Sequence, residues 1–394
     1  MGRINSRTGT QGFRTFLALL LFNSLIYISS ATYSPYITTY YKSHGITVAQ
    51  IGLLTAVGPL VAFCLQPFWG VLADRTGKHL LLLRMAVAGS MLAVLTFYFA
   101  DSFFTFAAAV TLYSFFSVVI APLGDAIAVG FVQENGYRFS LIRMGGTVGY
   151  AFAVVIAGMY IKKNPPLSFG LTSVMLALML LNTLFLPRGK KKKKKKKFEF
   201  GKILRNKKIR FVIAYAFVFQ MALGFYSSFY SVFLIDRGYD NGTVGFMMCV
   251  SSLSEVPVLL FIDRAIKKFR LEYLLMFSGF MLVLRIFLLL VPGYPFLILS
   301  QCIEGLSYMV QYYCTVMFLN QNLGEELLGT GMALLCMVQT GLASLFSSVL
   351  GGYLGQVLGL DKTFFLYAML LLVVTLACLP VLRRNAARKK ADGG

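Results

Sequence analysis

The chain has 394 residues, of which 58% are hydrophobic and only 13% charged, and its mean hydropathy is +0.73. A water-soluble fold of this length could not hide so much apolar surface, so the composition excludes a soluble globular protein and leaves one that crosses a bilayer many times. The formal net charge of +22 does not point to nucleic acid, because it is concentrated at the termini and in alternate loops of the helices set out next; that positive-inside pattern places both termini in the cytoplasm of a multi-pass plasma-membrane protein.

Apolar runs predict helices over residues 14–37, 46–72, 79–99, 103–133, 140–161 and 167–187. Each is long enough to span hydrocarbon at 1.5 Å per residue. The first apolar span, Phe16 to Tyr36, has no small-residue cleavage site behind it and runs on into further spans, so it reads as a retained helix rather than a signal peptide. A basic stretch follows, with an unbroken Lys190–Lys197 run and then Lys202, Arg205, Lys207, Lys208 and Arg210. It reads either as an attraction to anionic lipid or as a solvated linker that locks topology. Six more helices are predicted over 209–235, 243–262, 271–291, 294–320, 327–358 and 362–382. The expected fold is therefore an all-α polytopic membrane protein with twelve transmembrane helices. Its parts are an N-terminal six-helix bundle (residues 1–187), a basic cytoplasmic linker (188–208), and a C-terminal six-helix bundle with a short basic tail (209–394).

Between the second and third helices lies Gly70-Val-Leu-Ala-Asp74-Arg75-Thr-Gly77-Lys78-His79, with Arg84 beyond it. Two antiparallel helices must reverse here within a few residues at the membrane surface. Gly70 is expected to let a neighbouring helix approach and Gly77 to supply the freedom for the turn. Asp74 can meet the positive end of a helix, while Arg75, Lys78 and Arg84 hold the loop at an anionic surface. A worn copy, Phe261-Ile-Asp263-Arg264-Ala-Ile-Lys267-Lys268, follows the eighth helix as the first follows the second. It supports an internal repeat more than a second functional loop. The pattern resembles the loop signature of the major facilitator superfamily, Gly-x-x-x-Asp-Arg-x-Gly-basic-basic, with His79 in place of the last basic residue. The resemblance implies two bundles related by a pseudo-two-fold axis and a function in transport. It gives the loop Gly70, Asp74, Arg75, Gly77 and Lys78 the role of a conformational latch.

Asp125, Arg143, Glu255, Arg285 and Glu304 all fall inside predicted spans. Each costs about 2.5–3.5 kcal/mol to place in hydrocarbon even on insertion scales, so each should face a cavity or a partner. Asp125 and Arg143 flank the turn between helices four and five at equal distances, which sets them at one depth. Either they neutralise one another or they line a cavity and hold a polar solute. Pro122-Leu123-Gly-Asp125-Ala126 and Arg143-Met-Gly-Gly146-Thr-Val-Gly149-Tyr150 resemble the corresponding segments of the lactose-permease and phenylpropionate-permease branch of that superfamily. In the lactose permease an acid and an arginine with the same spacing hold the sugar, and an aromatic residue, a Trp there, stacks on it. The resemblance implies substrate-binding roles for Asp125, Arg143 and Tyr150.

Polar residues at helical spacing mark two further faces. Gln301, Glu304, Tyr308, Gln311 and Thr315 form one on helix ten, and Asn23, Tyr27, Ser30 and Ser34 form another on helix one. Asn23, Tyr27 and Gln311 are accordingly taken as substrate-binding candidates. Tyr226 and Tyr230 on helix seven read first as packing residues. Glu255, Arg285 and Glu304 are the proton-coupling candidates. Burial favours the neutral acid and a neighbouring guanidinium favours the carboxylate, so such a group can load and release a proton as solvent access alternates. In the lactose-permease branch the acids of helices eight and ten and the arginine of helix nine carry out proton coupling. The histidine that accompanies them there is absent here.

The six cysteines fall inside apolar spans without Cys-x-x-Cys spacing, and His44 and His79 are assigned to loops. No metal or cofactor is expected, and no nucleophile motif or phosphate loop suggests an enzyme. The sequence thus predicts a monomeric proton symporter for a small polar organic solute, a sugar or nucleoside ahead of an aromatic acid. An exporter or uniporter, or a non-transporting membrane receptor, stands as the alternative.

Overall fold

Long apolar stretches without polar interruptions fold as helices because, in hydrocarbon, every backbone amide must find its partner within the segment. The computed structural model describes residues 6–135, 137, 139–187, 200–323 and 325–391, and among these every regular element is helical. The Lys190–Lys197 run lies outside the described residues, as does the side chain of Asp74.

The first six membrane helices are α1 (Ser6–Ser43), α2 (Val48–Thr76), α3 (His79–Leu95), α4 (Phe103–Ser117 continued by Ile120–Asn135), α5 (Phe139–Ile161) and α6 (Leu167–Asn182). The remaining six are α7 (Lys207–Asp236), α8 (Asn241–Lys268), α9 (Leu271–Leu290), α10 (Tyr294–Cys302 and Val310–Asn322), α11 (Glu325–Cys336 and Ser344–Leu358) and α12 (Leu360–Ala391). Among the described residues, eleven helical spans are long and apolar enough to cross a bilayer. The twelfth, α10, is not one straight helix as the sequence suggested, because a π-helical turn, Gly305–Met309, breaks it. A second π-helical turn, Met337–Ala343, interrupts α11. Such turns insert one residue into the helical ladder and re-aim the side chains around them.

Local chemistry sets the helix ends. Thr47 opens α2 through a capping box: the Gln50 amide donates to Thr47 Oγ1 at 3.3 Å and the Thr47 amide donates to Gln50 Oε1 at 3.0 Å. Gly77 closes α2 in the left-handed region (φ 67°) and donates its N–H to the Ala73 carbonyl at 2.8 Å.

The chain forms two compact units. The first holds Met1–Lys195 together with Leu234–Cys249. In it α1 packs on α5 and α6, and α3 on α4 and α6. The segment around the α7–α8 turn is tied in by three polar contacts. Lys42 pairs with Asp236, Lys162 pairs with Asp240 at 2.7 Å, and Thr39 Oγ1 donates to Asn241 Oδ1 at 3.0 Å. Asp240 also accepts from the Thr243 amide at 2.8 Å, and the two donors hold its carboxyl below the usual carboxylate range. The second unit holds Lys196–Phe233 and Val250–Gly394, with α9 packed on α10 and α12. Large apolar side chains such as Phe99 (84% exposed) and Phe104 (81%) cover the outside. Water would penalise that surface and lipid tails would not.

Candidate functional site

In the first unit, α1, α4 and α5 bring together most of the expected substrate residues. Gly146 lets α5 lie directly on α1: a Cβ there would come within 2.3 Å of the Tyr27 ring and 2.8 Å of Asn23 Oδ1. One turn earlier on the same helix, the Arg143 guanidinium stands 5.2 Å from the centre of the Tyr27 ring, a cation–π contact. Asp125, half-buried on α4, interacts electrostatically with Arg143. Asn23 is buried, and its carbonyl oxygen has no hydrogen-bond partner among the described residues. Tyr150 lies two turns along α5 beside Tyr36, whose hydroxyl donates to the Val154 carbonyl at 2.6 Å. The result is an acid, a guanidinium, an amide oxygen and aromatic faces within one unit, with Arg143 itself exposed.

The second unit holds a network built around Arg285 of α9, which is only 3% exposed. Arg285 forms an ion pair with Glu304 of α10. Its Nη2 donates to Gln301 Oε1 at 3.0 Å, and its guanidinium lies 4.0 Å from the centre of the Tyr226 ring. Gln301 Nε2 in turn donates to the Tyr226 hydroxyl at 2.7 Å, which also shares a hydrogen bond with Ser300 Oγ at 3.2 Å. Tyr230 stacks on Tyr226 with ring centres 5.1 Å apart. So the buried charge meets a carboxylate, an amide and an aromatic face, all supplied by this chain.

The π-turn of α10 positions this network. Gly305 follows Glu304 directly, and a Cβ at 305 would sit 2.3 Å from the Ser254 carbonyl oxygen and 3.0 Å from Glu255 Cα. Its amide donates to Ser254 Oγ at 3.0 Å. The backbones of α8 and α10 therefore touch where the acids Glu255 and Glu304 reside. Gln311 lies further along α10, where its Oε1 accepts from Ser278 of α9 at 3.1 Å. It belongs to the second unit, whereas the other expected substrate residues belong to the first.

Comparison with known proteins settles the family. The MFS_1 like family matches residues 16–367, nearly the whole chain. The chain belongs to this family. A maltose permease of Geobacillus stearothermophilus is 24% identical over 94% of this chain and 96% of its own. The transporter YwbF of Bacillus subtilis is 23% identical over 91% of each chain. Among solved structures, the nucleoside transporter NupG superposes with a TM-score of 0.82 at 15% identity, covering 93% of this chain and 98% of that one. This MFS_1-like protein is thus a multi-pass membrane transporter with the twelve-helix fold of the superfamily, and not an enzyme.

Elsewhere in this MFS_1-like chain the loop residues behave less uniformly than their motif suggests. Gly77 takes the left-handed conformation that a side chain would strain, but a Cβ on Gly70 would meet nothing within 4 Å. Among the described residues, none makes the close approach expected at Gly70. Arg75 and Lys78 are exposed. Arg84, read as a lipid contact, instead donates from Nε to Thr183 Oγ1 at 3.2 Å and from Nη2 to the Thr183 carbonyl at 3.0 Å, and so caps the end of α6. His79, assigned to a loop, opens α3 and is buried. Sequence reasoning missed that Tyr226 and Gln301 are direct partners of Arg285. The one available signal was the three-residue spacing of Gln301 and Glu304, which puts both on one face of α10.

Proposed function

We propose that this transporter carries a small polar organic solute, a sugar or nucleoside ahead of an aromatic acid, together with a proton by alternating access. The bundles 1–187 and 209–394 are the moving bodies, with both termini in the cytoplasm. The observation that carries the proton-coupling reading is the buried Arg285–Glu304 pair with its Gln301 and Tyr226 supports. When Glu304 takes up a proton the ion pair is lost. Arg285 still has the amide oxygen of Gln301 and the Tyr226 ring, so its charge is not abandoned in a dry site. A guanidinium held in this way can release and recapture its acid. Glu255, brought to the same level by the Gly305 contact, is the second acid of the set.

The solute is assigned to the first unit. Asp125 accepts hydrogen bonds from solute hydroxyls, Arg143 donates to their oxygens, and Tyr27 and Tyr150 offer ring faces. Asn23 supplies an amide oxygen in want of a donor. A hydroxyl-rich neutral molecule uses both signs of charge, whereas a carboxylate would use Arg143 alone. The named substrates of the maltose permease and of the nucleoside transporter point to the same class.

Reconstituted liposomes loaded with a pH dye test this reading, with maltose, uridine and phenylpropionate as solutes. The expected result is solute-dependent proton entry in the wild type and none with Glu304→Gln. Proton entry and uptake unchanged in Glu304→Gln would refute the coupling role.

A further inference from the structure

The worn repeat Phe261–Lys268 has no task in the transport cycle just described, yet its basic end lines a cavity of its own. The cavity measures about 350 Å³ and lies wholly within the second unit, where the start of α7, the α8–α9 turn and the end of α10 converge. Four cationic side chains line it, Lys208, Lys267, Lys268 and Arg270, against one carboxylate, Glu272. Arg270 Nη2 reaches Glu272 Oε1 at 3.4 Å, a long contact between partly exposed groups.

The ordinary account of such cations covers only two of the four. Lys267 and Lys268 fall in the last turn of α8, where the negative end of the helix dipole favours cations. Lys208 and Arg270 stand at the opposite kind of helix end. Lys208 is in the first turn of α7, and Arg270 is the N-cap of the 20-residue α9. There the dipole is positive and a cation is disfavoured, and for Arg270 this is offset only in part by Glu272 in the first turn of α9 and by the Tyr273 ring, 5.8 Å away. Arg270 gives α9 no side-chain cap either: its carbonyl takes the Tyr273 and Leu274 amides, and the Leu271 and Glu272 amides receive no side-chain cap. Two cations at positive helix ends, facing two more across one cavity, make a local field that a bound anion would offset.

We propose that this cavity binds a phosphate group, carried by an anionic lipid headgroup or by a soluble phosphate. The Arg270 fork and the amides of Leu271 and Glu272 are its directional donors, and the three lysines supply charge. Phe269 and Phe318, which complete the lining, give the non-phosphate part of the ligand an apolar wall. The site requires no step of the proton cycle, so it stands or falls separately from the function proposed above.

Native mass spectrometry of the full-length protein in detergent, titrated with dioleoylphosphatidylglycerol or with inorganic phosphate, tests the site. The triple variant Lys267→Gln/Lys268→Gln/Arg270→Gln should lose about a hundredfold in apparent affinity, given about 1 kcal/mol per basic residue near anionic lipid. A control that removes three charges outside the lining, Arg205→Gln/Lys207→Gln/Arg210→Gln, should lose much less. Arg270→Lys keeps the charge and loses the fork, and should fall between wild type and the triple variant. Displacement of the lipid by millimolar phosphate identifies a soluble ligand, and lipid binding that resists phosphate identifies a headgroup. Equal losses in the triple variant and the control, or no loss in either for both ligands, would overturn the proposal.

Discussion

The polar groups of the two units handle charge in opposite ways. In the first unit Arg143 is exposed, Asp125 is half-buried, and Asn23 has an amide oxygen with no partner among the described residues. In the second, Arg285 is 3% exposed and is held by a carboxylate, an amide and an aromatic ring of its own chain, with only its Nε lacking a hydrogen bond among the described residues. A group with open valences is suited to a visiting molecule. A group whose partners are all internal is suited to an exchange that swaps one partner, as loss of a proton-bearing acid does. The contrast argues for dividing solute recognition and proton handling between the units.

The largest test of that contrast is Arg285→Ala. It leaves the Glu304 carboxylate buried without its cation, and should cost about 3–5 kcal/mol of stability, read as a large drop in the thermal midpoint of the purified protein. Adding Glu304→Leu to it should restore much of that loss. A smaller effect is expected at Gly305, where an added methyl meets the Ser254 carbonyl oxygen at 2.3 Å. Backbone cannot swing aside, so Gly305→Ala should cost about 1–3 kcal/mol. Gly146→Ala should cost less, since its obstacles are the Tyr27 and Asn23 side chains. The smallest stability effect is expected for Arg143→Ala and Asp125→Asn, within about 0.5 kcal/mol because the arginine is exposed. Solute affinity, measured by calorimetry, should nonetheless fall at least about tenfold, the loss of one charged hydrogen bond. If Arg143→Ala destabilised the protein as much as Arg285→Ala, the distinction between an open and a closed group would fail.

Much of this was legible in the sequence. Apolar runs of spanning length gave the twelve helices, because in hydrocarbon length and polarity leave the backbone little choice. The charges at 125, 143, 255, 285 and 304 stood out for the same reason. What was hidden depends on register. The π-turn at Gly305–Met309 shifts α10 by one residue, and no apolar periodicity announces it. The Arg285–Tyr226 contact pairs residues far apart in the chain, and a tyrosine in a phenylalanine-rich helix looks like packing. Gly70 shows the reverse failure. A motif glycine invites a close-approach reading, yet among the described residues nothing lies within 4 Å of where its Cβ would be.

The ties that bind Leu234–Cys249 into the first unit have a consequence for biogenesis. The acidic partners of Lys42 and Lys162 are Asp236, the last residue of α7, and Asp240 just beyond it, so both are made only as α7 is completed. The first unit is thus finished by residues synthesised after its own six helices, and until then two of its lysines wait without those carboxylates. Order of synthesis and order of assembly differ in this chain, and the α7–α8 turn is where the later-made half completes the earlier one.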